Sequence, residues 1–502
     1  MELLPRDHPR RDAILHRVKH GAPLITRPLG ADVRCEVDNY ISATNAQARP
    51  YVEAQILQEL ENDRYEIVQT KPQIISALGA IPKNKQGTKF RIIHDCSRPS
   101  GRAVNDFADI DPFQYQSLQD AIDMIRPGDY LAKIDLQNSF RLIGIEVSNY
   151  GAMGLKWRFK GQKRDTFMID KRMAFGARRA PEMFNELSQA VLDIMRTKGF
   201  FNIVCYCDDF LLVCSSFEEA RRTMLELIKV LRKLGFHINY NKVVGPSQVI
   251  VFLGFELNTL TMTVAVPHDK MEDLKSCLWS TITKDKVSKR QLQSLIGKLN
   301  WATQVIYGGR FHLRRLLDRI KDLRLPSHRT RVTRDMREDM AWWLNFMQGF
   351  NGLTGMVDNR PATPVTIDAC PVAAGAHYLG HVVYTPWQTT WPAAQPLHIN
   401  HKEILALETA AVAWAPLWAN KKVFIHCDNT CAVHTINKGR SKNPIVMSSL
   451  RRVFWLSAMF NFRLRAVYYP GSCNGIADSV SRLHEPGGLL RLREALAGAA
   501  LP

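Results

Sequence analysis

The sequence predicts an α+β multidomain chain, and three observations carry that prediction. Its 502 residues exceed what one hydrophobic core usually holds, since single cores stop growing near about 250–300 residues. From Ser76 onward, short apolar runs bounded by turn residues alternate with longer helix-like stretches. A Gly-, Asn- and Pro-rich segment at 349–363 then separates two regions of different character.

Composition narrows the function classes. With 46% hydrophobic and 23% charged residues, the chain can bury sizeable cores and is neither disordered nor collagen-like. The 67 basic against 48 acidic side chains give +19, a surplus that favours a polyanionic partner. No run approaches the roughly 20 apolar residues of a spanning helix, and the first thirty residues mix Arg, Asp, Glu and His where a signal peptide would be apolar. A soluble, intracellular protein is expected, in cytoplasm or nucleus, with no membrane partner. The ten cysteines are scattered and read as free thiols. Neither Cys205 with Cys207 nor Cys427 with Cys431 has CxxC spacing and a matching second pair, so zinc is not expected.

Residues 1–50 show weak periodicity and are read as an N-terminal extension carrying at most a helix. Ala77 to Pro82 and Phe90 to Asp95 read as strands, and Ser97 to Asn105 as a loop with basic tips. A helix from Leu118 to Ile125 stops at Pro127-Gly128, and Tyr130 to Asp135 follows as a strand ending in a carboxylate. Ile203 to Tyr206 and Phe210 to Val213 form a hairpin with Asp208-Asp209 at its turn, followed by a helix from Glu218 to Leu234. Between 265 and 340 there are 17 Lys or Arg against 9 Asp or Glu in a helical pattern. That stretch is either a solvated helical face or a surface for a nucleic-acid backbone, with Arg314 and Arg315 its leading candidates. After the linker, Val365 to Asp368 and Val423 to Asp428 read as strands ending in Asp, with a helix from His401 to Ala415 between them, stopped by Pro416.

Two-metal phosphoryl transfer requires carboxylates on rigid backbone, close enough to bridge ions about 3.5–4 Å apart. Asp135 with Asp208 and Asp209 meets that requirement if the fold closes the 73-residue gap between Asp135 and Asp208. On their own, Asp208 and Asp209 are equally a solvated hairpin turn. Their ordered surroundings resemble the fingers and palm of reverse transcriptases of long-terminal-repeat and related retrotransposons. Ile81-Pro82-Lys83, Lys89 to Asp95 and Asn105-Asp106 resemble the family's basic strand pair, which implies that Arg91, with Lys83 or Lys85, grips a triphosphate. Lys133 to Phe140 resembles the segment that supplies the first metal-binding Asp, here Asp135, and an aromatic steric gate five residues on, here Phe140. Met173 to Pro181 is similar to Leu-Pro-Phe-Gly-Leu-x-x-Ala-Pro, which implies nucleotide and template contacts for Phe175, Gly176 and Arg178; Met-Ala replaces Leu-Pro. Tyr206 to Asp209 matches the Tyr-x-Asp-Asp hairpin, Lys242 lies where the family has a Lys near the leaving pyrophosphate, and Phe252 to Phe255 resembles the primer-grip turn.

The C-terminal region repeats the logic with Asp368, Glu403, Asp428 and Asp478, each unremarkable alone. The set Thr366 to Ala369, His401 to Ala406, His426 to Asn429 and Asn474 to Asp478 resembles a ribonuclease H domain in order and spacing. Tyr468 stands where many relatives have a His, as in gypsy-class elements, and Asn437 to Lys442 is a basic loop, either solvated or a backbone contact. Ala477 to Arg482 and the loop after Asp428 look most like DIRS-type retrotransposons, and next like gypsy-class ones.

The resemblance implies a right-hand polymerase of fingers, palm and thumb followed by an α/β ribonuclease H-like domain. The expected division is an extension at 1–50, fingers and palm at 51–260, a basic helical thumb or connection at 261–350, a linker at 351–363, the ribonuclease H-like domain at 364–486 and a tail at 487–502. It further implies RNA- and DNA-templated DNA synthesis with hybrid cleavage, using two Mg2+ per site, with Mn2+ an alternative. Asp135, Asp208, Asp209, Asp368, Glu403, Asp428 and Asp478 would be the ligands. Partners would be an RNA template, a DNA primer, the RNA–DNA hybrid and deoxynucleoside triphosphates; nothing in the residues sets the oligomeric state. The alternatives are an element-derived binding protein that has lost catalysis, which seven intact carboxylates disfavour, and an RNA-dependent RNA polymerase, which Phe140 and the attached nuclease disfavour.

Overall fold

The computed structural model describes residues 3–83, 88–306, 308–349 and 352–499; Lys85 lies outside them. The chain divides into two compact units, one of residues 1–253 and 257–262, the other of 254–256 and 263–502.

In the first unit, β1 (Leu78–Pro82) and β2 (Phe90–His94) form an antiparallel pair. A four-stranded sheet contains β3 (Tyr130–Asp135), β4 (Ile203–Tyr206), β5 (Asp209–Cys214) and β6 (Val244–Ser247) in the order β6-β3-β5-β4. Each neighbouring pair is antiparallel. Two helices back it, α2 (Ala180–Thr197) and α3 (Phe217–Lys233), the latter started by the Ser216 hydroxyl accepting from Glu219 N–H. Buried Ile134, Phe210, Phe184 and Leu227 lie in one core between these layers.

The N-terminal extension is part of this core. Helix α1 (Arg11–His20) buries only Ile14, which explains its weak periodicity. The chain beyond it is tied down by the Asn149 side-chain oxygen, which accepts from Leu24 and Ile25 N–H at 2.7 and 3.2 Å. His8 meets Asp193 at 3.0 Å, and Arg17 pairs with Glu186. Leu4, Ala22 and Leu24 are buried with residues of the four-stranded sheet.

The second unit combines the helical segment with the C-terminal α/β layer. Helices α4 (His268–Ile282), α5 (Lys289–Ala302), α6 (Arg314–Lys321) and α7 (Arg334–Gly349) precede a five-stranded sheet. Its strands are β7 (Ala362–Ala369), β8 (Ala373–Tyr378), β9 (His381–Pro386), β10 (Lys422–Cys427) and β11 (Arg463–Tyr468), in the order β9-β8-β7-β10-β11. β7, β10 and β11 are parallel and β8 and β9 antiparallel. Helix α8 (Ile399–Trp414) buries Glu403 and Leu407 against this sheet, and α9 (Gly475–Ser481) packs on β7 and β8.

Three sequence expectations change here. Leu353–Gly355, inside the expected linker, is a strand paired with Thr263–Ala265, and Gly488–Ala499, inside the expected tail, is a helix. The helical segment is not a separate body: Phe311 is buried in the α/β core and stacks on Phe454. Arg314 and Arg315 do not form a free basic face. Arg314 pairs with Asp318 at 2.7 Å, while Arg315 reaches Glu338 at 3.2 Å and the buried Asp339 at 3.3 Å.

Candidate active sites

Antiparallel pairing closes the gap that the sequence left open. The register sets Asp209 opposite Asp135, so the last residue of β3 and the first of β5 are neighbours across the sheet. Asp208 sits in the turn between β4 and β5 and its carbonyl accepts from Leu136 N–H at 3.1 Å. Cys207, beside it, has φ +55°, a conformation that costs a non-glycine residue about 1–2 kcal/mol. Its carbonyl is held by the Ser188 hydroxyl of α2 at 3.0 Å, which offsets that cost.

Asp135 and Asp208 line one cavity of about 430 Å³, together with Lys83, Arg91, Phe175, Asn239 and Lys242. Asp135 is 6% exposed, and its two oxygens are held separately, Oδ1 by the Asn239 amide at 2.9 Å and Oδ2 by the Lys242 ammonium at 3.0 Å. Asp209 is not among the lining residues. Its buried Oδ1 lies 3.1 Å from Lys133 Nζ, which balances part of its charge. Burial pushes the Asp209 carboxyl above the usual range; Lys133 pulls it back, and Asp208 and Asp135 add to the rise. Hard oxygen donors and clustered like charges fit a divalent cation such as magnesium.

In the same cavity lining, burial and the neighbouring Arg91 and Lys89 push the Lys83 ammonium below its ordinary value. The Arg91 guanidinium lies 5.5 Å from the centre of the Phe175 ring. Phe140 does not line the cavity; its ring packs behind Phe175 at 5.4 Å and against Phe184 at 5.8 Å. Gly176 has φ +136°, and a Cβ there would lie 2.2 Å from the His94 carbonyl oxygen, so this close approach of two segments requires glycine. Arg178 and Tyr206 lie off the cavity. The Arg178 backbone is fixed by Asn105 at 2.7 Å, and the exposed Tyr206 ring stands 5.0 Å from Tyr115.

The structure adds residues that sequence reasoning missed. Asn239 is one. The cavity wall also contains Arg141, which donates to Glu59 and to Asp170, each at 2.6 Å, all three being buried. No local pattern links positions 59, 141 and 170, so only the folded chain reveals them.

In the second unit, Asp368 lies in β7 opposite Gly375 of β8. A Cβ on Gly375 would lie 2.3 Å from Ser481 N, so this glycine lets α9 approach the sheet and bring Asp478 with it. The Ser481 hydroxyl donates to Asp368 at 2.6 Å. Glu403, in the second turn of α8, is 3% exposed, and the Cys427 thiol donates to it at 3.7 Å. Asp428 follows β10, and ligand atoms of Glu403, Cys427 and Asp428 lie within 4.8 Å of one another. Burial first, then the neighbouring Asp478 and Asp428, push Asp368 to about 6. Burial, Asp368 and Asp428 push Glu403 to about 9. Such mutual repulsion is what a divalent cation relieves, so this donor set also fits magnesium. Asp478 is paired with Arg482 at 2.8 Å. Tyr468 is half exposed and aligned with Cys427 across β10 and β11. Of the basic loop, Asn437 is structural, since its amide exchanges hydrogen bonds with Ala466 of β11 at 2.8 and 2.9 Å.

Residues 81–257 match the sequence family described as Reverse transcriptase (RNA-dependent DNA polymerase). The chain is 20% identical over 407 residues to the genome polyprotein of Petunia vein clearing virus, covering 76% of this chain and 16% of that polyprotein. It is 20% identical over 421 residues to the transposon Tf2-3 polyprotein of Schizosaccharomyces pombe, covering 80% of this chain and 28% of that one. The chain therefore spans less than a third of the length of either relative. Among solved structures it resembles foamy viral protease-reverse transcriptase in complex with RNA/DNA hybrid, with TM-score 0.55 at 16% identity over 93% of this chain and 64% of that one. The same protein in complex with dsDNA gives 0.54 at 16% identity, over 92% and 93%. The fold is thus that of a polymerase with a ribonuclease H-like region, and residues 81–257 carry the likeness to reverse transcriptases. Among the described residues, no helix is long and apolar enough to cross a membrane.

Proposed function

We propose that the chain is an RNA-directed DNA polymerase that also copies DNA, and that its second unit cleaves the RNA of RNA–DNA hybrids. The observation that carries this reading is the single cavity in which Asp135, Asp208 and Lys242 face Lys83, Arg91 and Phe175. Its size suits one nucleotide, and its lining suits the two charges involved, metal ions at the carboxylates and triphosphate at the cations.

Bound magnesium would supply charge neutralisation at the α-phosphate and activation of the primer 3′-hydroxyl. Asp135 and Asp208 would hold it, with Asp209 supporting them from behind. Asn239 fixes the Asp135 carboxylate in one orientation. Arg91 and Lys83 bind the triphosphate, and Phe175, backed by Phe140, closes over the sugar. Lys242, whose side chain is 61% exposed, is free to turn toward the departing pyrophosphate. In the nuclease, Asp368, Glu403, Asp428 and Asp478 would hold the metal pair while water replaces the 3′-hydroxyl as nucleophile. Selection of the hybrid rests on backbone shape and 2′-hydroxyls.

Support also comes from the relatives, which are viral and transposon polyproteins, and from the foamy viral enzyme bound to dsDNA and to hybrid. Within the retroelements we place the chain nearest the DIRS type, then the gypsy class, from Ala477 to Arg482; a tyrosine recombinase gene in the flanking genomic DNA tests this. The activity is tested by primer extension on an RNA template with magnesium, followed by gel analysis of the RNA strand. Extension without deoxynucleotide preference, or no extension and no cleavage, overturns the reading.

A further inference from the structure

In the helical segment of the second unit, several helix-borne cations have acidic partners. Lys275 pairs with Glu272, Lys298 with Asp273, Arg314 and Lys321 with Asp318, and Arg315 and Arg334 with Glu338. Cations without such partners are gathered on one small ribbon. The strands Lys286–Ser288 and Arg329–Arg331 form a two-stranded antiparallel ribbon whose register sets Lys286 directly opposite Arg331. Val287 and Thr330 face inward, so Lys286, Arg329 and Arg331 all stand on the exposed side. The turn before the second strand is latched beside them: Lys289 N–H donates to the His328 carbonyl, and Arg290 N–H to the Pro326 carbonyl. This adds exposed Arg290 and Arg324 to the same patch. Among the described residues, none of these five cations has a carboxylate within ion-pair distance.

Like charges directly opposite on an antiparallel pair are destabilising. The ribbon therefore retains an electrostatic cost that the neighbouring helices avoid by interleaving acids, and a polyanion laid across the exposed face would remove it. Two-residue spacing along a strand separates Arg329 from Arg331 by about 6.7 Å, which leaves room for a separate phosphate at each. We propose that this ribbon is a contact surface for the sugar–phosphate backbone of a nucleic-acid duplex, and that the ribbon, not α6, carries the salt-sensitive part of binding by the helical segment. The proposal rests on the polymerase–nuclease reading for the identity of its duplex. Arginines offer two donors to each phosphate and no base-edge geometry is built here, so the contact is independent of sequence.

The test uses the full chain and a fluorescent RNA–DNA hybrid, with affinity measured by anisotropy at several KCl concentrations. Replacing Lys286 and Arg331 together by Ala should reduce the slope of log affinity against log salt by about 1.5–2, since each lost phosphate contact contributes about 0.9. Melting temperature should stay equal to that of the parent or rise, because the opposed charges are gone. The control pair Arg314→Ala with Lys321→Ala, which removes two partners of Asp318, should leave the slope unchanged. An unchanged slope in the ribbon variant overturns the proposal. So does loss of binding to phosphatidylserine vesicles with hybrid binding intact, which would make the partner a membrane surface. Absence of extension and cleavage by the parent at saturating hybrid would instead refute the activity reading and leave the slope result to judge the ribbon.

Discussion

Lys242 holds the Asp135 carboxylate at a place that a divalent cation bound there would also need. The ammonium donates to Oδ2 at 3.0 Å while Asn239 occupies Oδ1 at 2.9 Å, so the oxygen presented to the cavity is the one that carries the lysine. Lys242→Ala should lower the magnesium concentration needed for half-maximal primer extension, because a competitor is gone. It should also lower kcat, because the cation proposed to meet the departing pyrophosphate is gone. Magnesium titrations of single-nucleotide extension measure both, and an unchanged magnesium requirement would show that the ammonium leaves at no cost.

Asp208→Asn removes one carboxylate from the cavity of the first unit and none from the second unit. Primer extension should be abolished and hybrid cleavage retained; Glu403→Gln should give the reverse, with extension on a DNA template largely intact. Assaying both activities on both variants checks the assignment, which fails if either substitution removes both while circular dichroism shows a folded protein.

In the proposed reading, the ring that would meet the sugar is Phe175, backed by Phe140. Because Phe175 forms the cavity wall and Phe140 supports it from behind, Phe140→Val should relax the wall indirectly and Phe175→Ala should open it directly. Forcing a 2′-hydroxyl against packed rings costs about 1–3 kcal/mol, and 1.36 kcal/mol is tenfold in rate, so the parent should reject ribonucleotides about ten- to hundredfold. Both variants should accept them better, with deoxynucleotide use only moderately reduced. If the parent already uses both sugars equally, the RNA-polymerase alternative replaces the DNA-polymerase reading.

What the sequence made legible was local. The strand ending at Asp135, the hairpin from Ile203 to Val213 and the helix expected from Glu218 to Leu234 are written in period and turn residues within a few positions, and the structure has them within one residue of expectation, with Asp209 opening the second strand. What remained hidden was non-local. Asn239 reaches Asp135 across 104 positions, Gly375 matters only because α9 lies on it, and residues 3–25 enter the core of the first unit through backbone bonds to Asn149 that no periodicity reports. The placement of Phe140 behind Phe175 depends on how two separate segments pack, which spacing from Asp135 cannot encode.

Arg315 illustrates a charge that looks free in sequence and is structural in the fold. The buried Asp339 is approached by Arg315, by His312 at 3.3 Å and by Arg451 at 3.6 Å. Removing one cation leaves an under-compensated buried carboxylate, so Arg315→Ala should lower stability by about 1–3 kcal/mol. Thermal unfolding measures it. A variant as stable as the parent would show that His312 and Arg451 suffice.

The nuclease carboxylates predict a pH dependence whose sign follows from their raised values. Asp368 at about 6 and Glu403 at about 9 bind protons in the folded, metal-free protein well above the pH at which they release them when unfolded. The folded state then holds more protons than the unfolded state from about pH 4 to 9, so metal-free stability of the second unit should fall as pH rises through that window. Magnesium requires the ionised forms, so its binding releases protons and its apparent affinity should rise over the upper part of the same range. Melting curves at pH 5, 7 and 9 with EDTA and with magnesium test both statements together: the EDTA curves should shift down with pH and the magnesium-induced increment should grow. Glu403→Gln, which keeps the shape and removes the titration, should flatten the first trend and abolish much of the second. An EDTA series that does not change with pH in the parent would mean that these two carboxylates are solvated in the folded protein, and that the pocket is not the low-dielectric site that Asp368, Glu403 and Asp428 create by sharing it.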